Sequence, residues 1–272
     1  MRAIKSAKQS ISMQIYGLTD PDLIALLEKK QSQGIDVQIF YDKKASRSLP
    51  SYLAAYPIKS SGLMHRKILI IDDTTIFLGT ANYTPQSLKM HDNLIVGIWN
   101  HDLAMFFKHS SEQQKEFVVD GLFLSAFLLP DFEKKAIEAL TQRIDAAKES
   151  IQIAMFTLTH PTIREKLIEA KKRGVSVSVA IDRYTALGAS KKHVEALKEA
   201  KVEIRKSGGS QLLHHKWALI DNKTFIIGSA NWTGAAFEKN QDCLLIFDEL
   251  KPSHQKILLR IWKAVAIASQ KG

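Results

Sequence analysis

The sequence predicts an α/β fold of two pseudo-symmetric repeats, each a mixed β-sheet flanked by helices. Three observations carry that reading. Ile11 to Thr19 (ISMQIYGLT) matches Ile151 to Thr159 (IQIAMFTLT), and Gly34 to Asp42 (GIDVQIFYD) matches Gly174 to Asp182 (GVSVSVAID), both at an offset of 140 (151 − 11 and 174 − 34). An H-x-K-x4-D pattern occurs twice, at His65 to Asp72 and at His214 to Asp221, an offset of 149 (214 − 65). Within each copy, apolar runs of strand length alternate with amphipathic stretches of helix length, which calls for layered sheet and helix.

The elements follow in the same order in both copies. A short amphipathic helix precedes Ile11 and, at Ile144 to Ser150, Ile151. Apolar strands follow at 11–16 and 151–156. Helices are expected over Pro21 to Ser32 and Pro161 to Arg173, with Pro at the start and Gly just past the end. β-Branched strands come next at 35–41 and 175–181. The His-Lys strand and its partner are placed at 63–71 with 75–79 and at 212–220 with 224–228, and closing helices at about 102–114 and 252–268. The extra nine residues of copy two fall between Arg183 and Gln211, a stretch with Gly188, Gly208 and Gly209 that reads partly as loop. Gly121 to Pro130 is apolar but too short to span a bilayer; it is expected to be the buried strand that opens copy two. Copy one has no counterpart, so the N-terminus is expected to be truncated or processed. The repeats are assigned to residues 1–118 and 119–272.

Period-two alternation puts His65 and Lys67 on one strand face and His214 and Lys216 on another. Asp72 and Asp221 lie an odd number of residues away and face the other side, beside turn-type residues, so they are expected to be structural. With a two-residue loop at 73–74, Lys67 would face Thr80 and His65 would face Asn82. Lys216 would face Ser229 and His214 would face Asn231. Gly79, Ala81, Gly228 and Ala230 among them suit a ligand close to the backbone. Asp92 and Asp242, at the starts of apolar runs, are candidates for orienting the two imidazoles.

These residue types suit a phosphodiester. Lysines and amides stabilise charge on its non-bridging oxygens. A neutral imidazole can attack phosphorus, and a protonated one can donate to the leaving alkoxide. Neither a metal nor any other cofactor is expected: no Cys/His/carboxylate spacing suggests zinc, and His215 beside His214 points the other way as a structural or rim residue. Trp217 and Trp232 fit a substrate groove or the core. No Gly-rich phosphate loop is present.

The paired motifs resemble the mark of the phospholipase D/nuclease superfamily, H-x-K-x4-D-x6-G-[GS/T], and the match covers nearly the whole chain. The resemblance implies one phospholipase D-like catalytic unit, with His65 as nucleophile and His214 as general acid/base. It implies phosphate binding by Lys67, Lys216, Asn82 and Asn231, with Thr80 and Ser229 alongside, and structural roles for Asp72 and Asp221. Family members commonly carry Glu where Asp92 and Asp242 stand.

A net charge of +10 and a pI near 9.5 point to a polyanionic partner, nucleic acid or an anionic phospholipid surface. Basic residues gather at Lys43, Lys44 and Arg47, at Lys191 and Lys192, and over Lys201 to Lys206. The leading expectation is a metal-independent, nuclease-type phosphodiesterase working through a phosphohistidine. The alternatives are a phospholipase D acting on headgroups and a non-catalytic nucleic-acid- or membrane-binding protein on the same fold. The chain is expected to be a soluble monomer with an internal pseudo-twofold, without a transmembrane segment or signal peptide. Cys243, the only cysteine, excludes an internal disulfide.

Overall fold

The computed structural model describes residues 1–46 and 49–271. Arg47, part of the first basic group, lies outside the described residues. The first repeat runs α1 (Arg2–Ser6), β1 (Ser10–Ile15), α2 (Pro21–Ser32), β2 (Asp36–Tyr41), β3 (Ala55–Pro57), β4 (Lys67–Ile71), β5 (Thr75–Gly79), α3 (Pro85–Lys89), β6 (Ile95–Trp99) and α4 (His101–His109). The second continues with β7 (Gln114–Val119), β8 (Leu122–Leu128), α5 (Lys135–Ala146), β9 (Ser150–Met155), α6 (Pro161–Lys172), β10 (Ser176–Ile181), α7 (Arg183–Leu187), α8 (Lys191–Glu199) and β11 (Glu203–Ser207). It ends with β12 (Lys216–Ile220), β13 (Thr224–Gly228), α9 (Gly234–Glu238), β14 (Cys243–Asp248), α10 (Pro252–Ile267) and β15 (Ser269–Lys271).

Two mixed sheets result, with strand orders β3-β2-β1-β4-β5-β6 and β15-β11-β10-β9-β12-β13-β14-β8-β7. The duplication is visible in them: β1 lies parallel to β2 and antiparallel to β4, as β9 lies parallel to β10 and antiparallel to β12. Both helices that follow the first strand begin at Pro, whose missing N–H is no loss in the first turn. In α2 the Asp20 carboxylate also caps the Leu23 N–H at 2.9 Å. Ile68, Ile70 and Leu78 of the first sheet and Trp217, Leu219, Phe225 and Leu245 of the second share one buried core, which α4 and α10 join. Apolar burial between the sheets fixes the two halves face to face. Trp217 and Trp232 both belong to the core, at 0% and 1% exposure.

Several expectations need correction. The β4–β5 loop has three residues, not two: Ile71 pairs with Thr75 and Ile68 with Leu78, with Asp72 and Asp73 in left-handed backbone at φ 50° and 53°. Asp221 and Asn222 repeat this. Lys67 therefore does not stand opposite Thr80. The stretch after Arg183 is largely ordered as α7, α8 and β11, because Val194 and Leu197 give α8 an apolar face to bury. The helix expected to reach residue 114 stops at His109, and β7 starts at Gln114 to pair with β8. Gly79 and Gly228 are small for a reason other than a ligand: a Cβ there would collide with the carbonyl oxygens of Leu94 and Cys243 on the neighbouring strand. Among the described residues, no helix is long and apolar enough to cross a membrane.

Candidate active site

The two sheets meet end to end through a pair of equivalent bridges. The His65 N–H donates to Gln241 O at 2.8 Å, and the His214 N–H donates to Asp92 O at 2.9 Å. Each histidine thus sits just ahead of its strand, β4 or β12, with its backbone tied to the other repeat. Asp72 and Asp221 secure the far ends of those strands. Asp72 accepts from the N–H groups of Lys8, Gln9 and Ser10, and Asp221 from those of Lys148, Glu149 and Ser150, at 2.7–3.0 Å. Burial works against both carboxylates, but these backbone donors hold them below the usual range.

The side chains cross as well. His65 Nδ1 lies 2.8 Å from Asp242 Oδ1 of the second repeat. His214 Nδ1 lies 3.1 Å from Asn93 Oδ1 of the first. Asp92 is exposed and meets His214 only through its backbone, so it does not orient the ring. The residue missed is Asn93, eleven positions after Asn82, just as Asp242 is eleven after Asn231. Thr80 and Ser229, expected on the phosphate, aim their hydroxyls at these partners instead. Thr80 Oγ1 is 3.0 Å from Asn93 Oδ1, and Ser229 Oγ is 2.6 Å from Asp242 Oδ1. The Asn93 amide is fixed by donating from Nδ2 to Ser87 O at 2.9 Å, which leaves Oδ1 as the acceptor and gives His214 a protonated Nδ1.

Lys67 and Lys216 are each only 1% exposed. Their ammonium groups donate back to the carbonyls of His65 (2.5 Å) and His214 (2.8 Å) and lie 5.2 Å above the Tyr16 ring and 5.0 Å above the Phe156 ring. Burial pulls Lys67 down to about 7 and Lys216 well below its ordinary value, the latter also through repulsion by Lys67. Both imidazoles are lowered too, first by burial and then by the neighbouring lysine, and Asp242 opposes the fall at His65. The rings of Tyr16 and Phe156 meet the two histidines edge-on at 5.1 and 5.0 Å. His91 flanks His214 at 6.2 Å.

Asn82 and Asn231 both bury a side-chain oxygen that has no partner among the described residues. His215 is buried, and burial followed by Lys216 drops it to about 3. Its counterpart Arg66 braces the repeats, donating to Gln14 Oε1, Leu129 O and Asp242 O at 3.0–3.3 Å. The result is one concentrated cationic centre, two lysines and two histidines drawn equally from two repeats.

Fold and centre together define a two-repeat α/β protein of the duplicated His-Lys class. The family model described as "Cardiolipin synthase, PLD-like domain" matches residues 1–117 and 140–262, and the chain belongs to this phospholipase D-like family. It is 31% identical over 131 residues to a mitochondrial cardiolipin hydrolase of Xenopus laevis, covering 47% of this chain and 61% of that protein. The chain thus spans about three-fifths of the length of the curated relatives it matches. A crystal structure of a phospholipase D family member, Nuc from Salmonella typhimurium, superposes with TM-score 0.51 at 28% identity, over 55% of this chain and 98% of that one. Phosphatidylserine synthase from Haemophilus influenzae shares the fold over the full chain and 84% of its own length, with TM-score 0.76 at 14% identity.

Proposed function

We propose that this chain is a phosphodiesterase that cleaves through a covalent phosphohistidine, with nucleic acid as substrate. The observation that carries the reading is the pair of buried lysines. Two ammonium groups held out of water by carbonyls alone are costly, and an anionic phosphodiester placed between them would offset that cost. The neutral Nε2 of His65 attacks phosphorus; the P–O bond to the leaving group breaks, and the alkoxide takes a proton from His214. Water then gives a proton to His214 as its oxygen bonds to phosphorus, and the P–N bond breaks to restore His65. Asp242, on Nδ1 of His65, stabilises the positive charge that forms on the ring. Lys67, Lys216 and the amides of Asn82 and Asn231 bind the phosphate oxygens. Thr80 and Ser229 act one step back, holding Asn93 and Asp242.

The preference for nucleic acid rests on the +10 charge and on the exposed Lys43, Lys44, Lys191 and Lys192 beyond the Asp42 and Asp182 strands. A phospholipid substrate is the second reading. It is favoured by Leu63 and Met90, exposed apolar residues close in sequence to His65 and His91, and by the name of the cardiolipin hydrolase relative. The test is a parallel assay of DNA, RNA, a chromogenic phosphodiester and choline- or glycerol-headed lipids, each with His65→Ala and His214→Ala as controls. Both variants should lose several orders of magnitude of activity while keeping the native circular dichroism. Near-normal turnover by either would sink the shared-site mechanism.

A further inference from the structure

The two sheets differ at one equivalent edge. In the second repeat, β14 is paired on one side with β13 and on the other with β8, through Leu244–Phe127, Ile246–Ser125 and Asp248–Phe123. In the first repeat, β6 is paired only with β5 and forms the edge of its sheet. The Thr80 N–H donates to Leu94 O, and the Asn100 N–H donates to Thr74 O. By the alternation of an antiparallel ladder, the backbone groups of Ile95, Gly97 and Trp99 therefore point away from β5. At the offset of 149 these three residues correspond to Leu244, Ile246 and Asp248, the very positions that β8 covers.

The bare edge also borders a groove. A cavity of about 750 Å³ runs along Leu94 to Trp99 and is walled by Val119 and Leu122 of the β7–β8 hairpin and Leu258 and Ile261 of α10. Its lining is mostly apolar, and Trp99 at its side is 80% exposed. A free edge beside apolar surface is a template for strand addition. Walls from a hairpin and a helix suit one extended chain and not the flat edge of a second sheet.

We propose that the outer edge of β6 is a docking site for a partner polypeptide that presents an extended, mostly apolar segment and adds it antiparallel, as β8 adds to β14. The backbone groups of Ile95, Gly97 and Trp99 supply the ladder, and the groove takes alternate side chains. The internal duplication supplies the pattern of the occupant: a β8-like run in which large apolar residues dominate. This inference does not depend on the chemistry of the active site.

The test uses the full chain and a peptide with the sequence of residues 121–130, flanked by lysines for solubility. Of the four tryptophans, Trp99 is the exposed one, so tryptophan emission reports on this edge. The peptide should give a saturable blue shift and slow amide exchange at Ile95, Gly97 and Trp99 by at least about tenfold. Ile95→Lys changes an exposed side chain, keeps the fold, and places a charge where the strand would lie; it should abolish both effects. Absence of a saturable shift, or an equal response from Ile95→Lys, overturns the proposal. So does protection of the same amides in the protein alone with sedimentation as a dimer, which would make a second copy the occupant.

Discussion

Asp242 of the second repeat stands 2.8 Å from Nδ1 of His65 in the first, while the equivalent position for His214 is held by the neutral Asn93 at 3.1 Å. The pseudo-twofold is thus broken where it matters for proton transfer. A carboxylate makes His65 the more basic ring and the better nucleophile. An amide fixes the tautomer of His214 without opposing the loss of its proton.

That asymmetry sets a pH dependence. His65 must be neutral to attack, and His214 must be protonated to release the leaving group. Both are held below the ordinary 6.5, His65 by burial and Lys67, His214 by burial, Lys216, Lys67, His65 and His91. His65 therefore stays neutral, and activity persists, below pH 6.5. As pH rises toward 6.5 and beyond, His214 loses its proton and kcat/KM falls. Asn93→Asp adds a carboxylate beside His214 and should move this alkaline limb up by about 1–2 pH units. Asp242→Asn should lower kcat by about 100-fold or more, through the lost charge on His65. A pH–rate profile that Asn93→Asp leaves in place would show that residue 93 does not act on His214.

The sequence made the fold and the four catalytic positions legible because strand alternation and duplication are local, countable patterns. Asn93 was missed for a physical reason: the search was for an acid, and Asp92 lay one residue early, at a position whose backbone and not side chain meets His214. The β4–β5 register slipped by one because left-handed backbone at Asp72 and Asp73 adds a loop residue that composition does not reveal. The β8–β14 pairing was out of reach for another reason. It joins residues more than a hundred positions apart through tertiary burial.

Excess EDTA should leave kcat unchanged. Lysines and amides cover the charge, and histidines the proton transfers, that divalent ions supply in many phosphoryl-transfer enzymes. Assays with and without chelator, on the chromogenic diester, decide the matter. Loss of turnover that Mg²⁺ or Zn²⁺ restores would rule out the mechanism proposed above.

Stability and activity should trade at Lys67. Burial brings its folded-state value to about 7 from an ordinary 10.5. A depressed value contributes stability that is present above 10.5 and is lost as pH falls through about 7. Lys216 is shifted in the same direction, so Tm should rise between pH 7 and pH 9. Lys67→Met keeps the length of the stem and removes the buried charge. It should stabilise the fold at pH 7 by ~1–3 kcal/mol in urea unfolding while abolishing turnover. A destabilised Lys67→Met protein would mean that the ammonium–carbonyl bond to His65 outweighs the cost of burying the charge.

Substrate class can be read from salt. If the surplus of positive charge serves nucleic acid, each lysine–phosphate contact releases counterions, and affinity for duplex DNA falls with a slope of about 0.9 per contact in log units. Lys43, Lys44, Lys191 and Lys192 are exposed and lie outside the His-Lys centre. Reversing all four to Glu should weaken DNA binding and flatten the salt dependence, since their contacts are removed. Hydrolysis of the small chromogenic diester should stay near normal, because Lys67, Lys216 and both histidines are untouched. Anionic membranes attract basic surfaces too, so the same variants belong in a vesicle assay. Turnover that rises on phospholipid vesicles, together with no measurable DNA affinity at low salt, would replace the nucleic-acid reading with the lipid one.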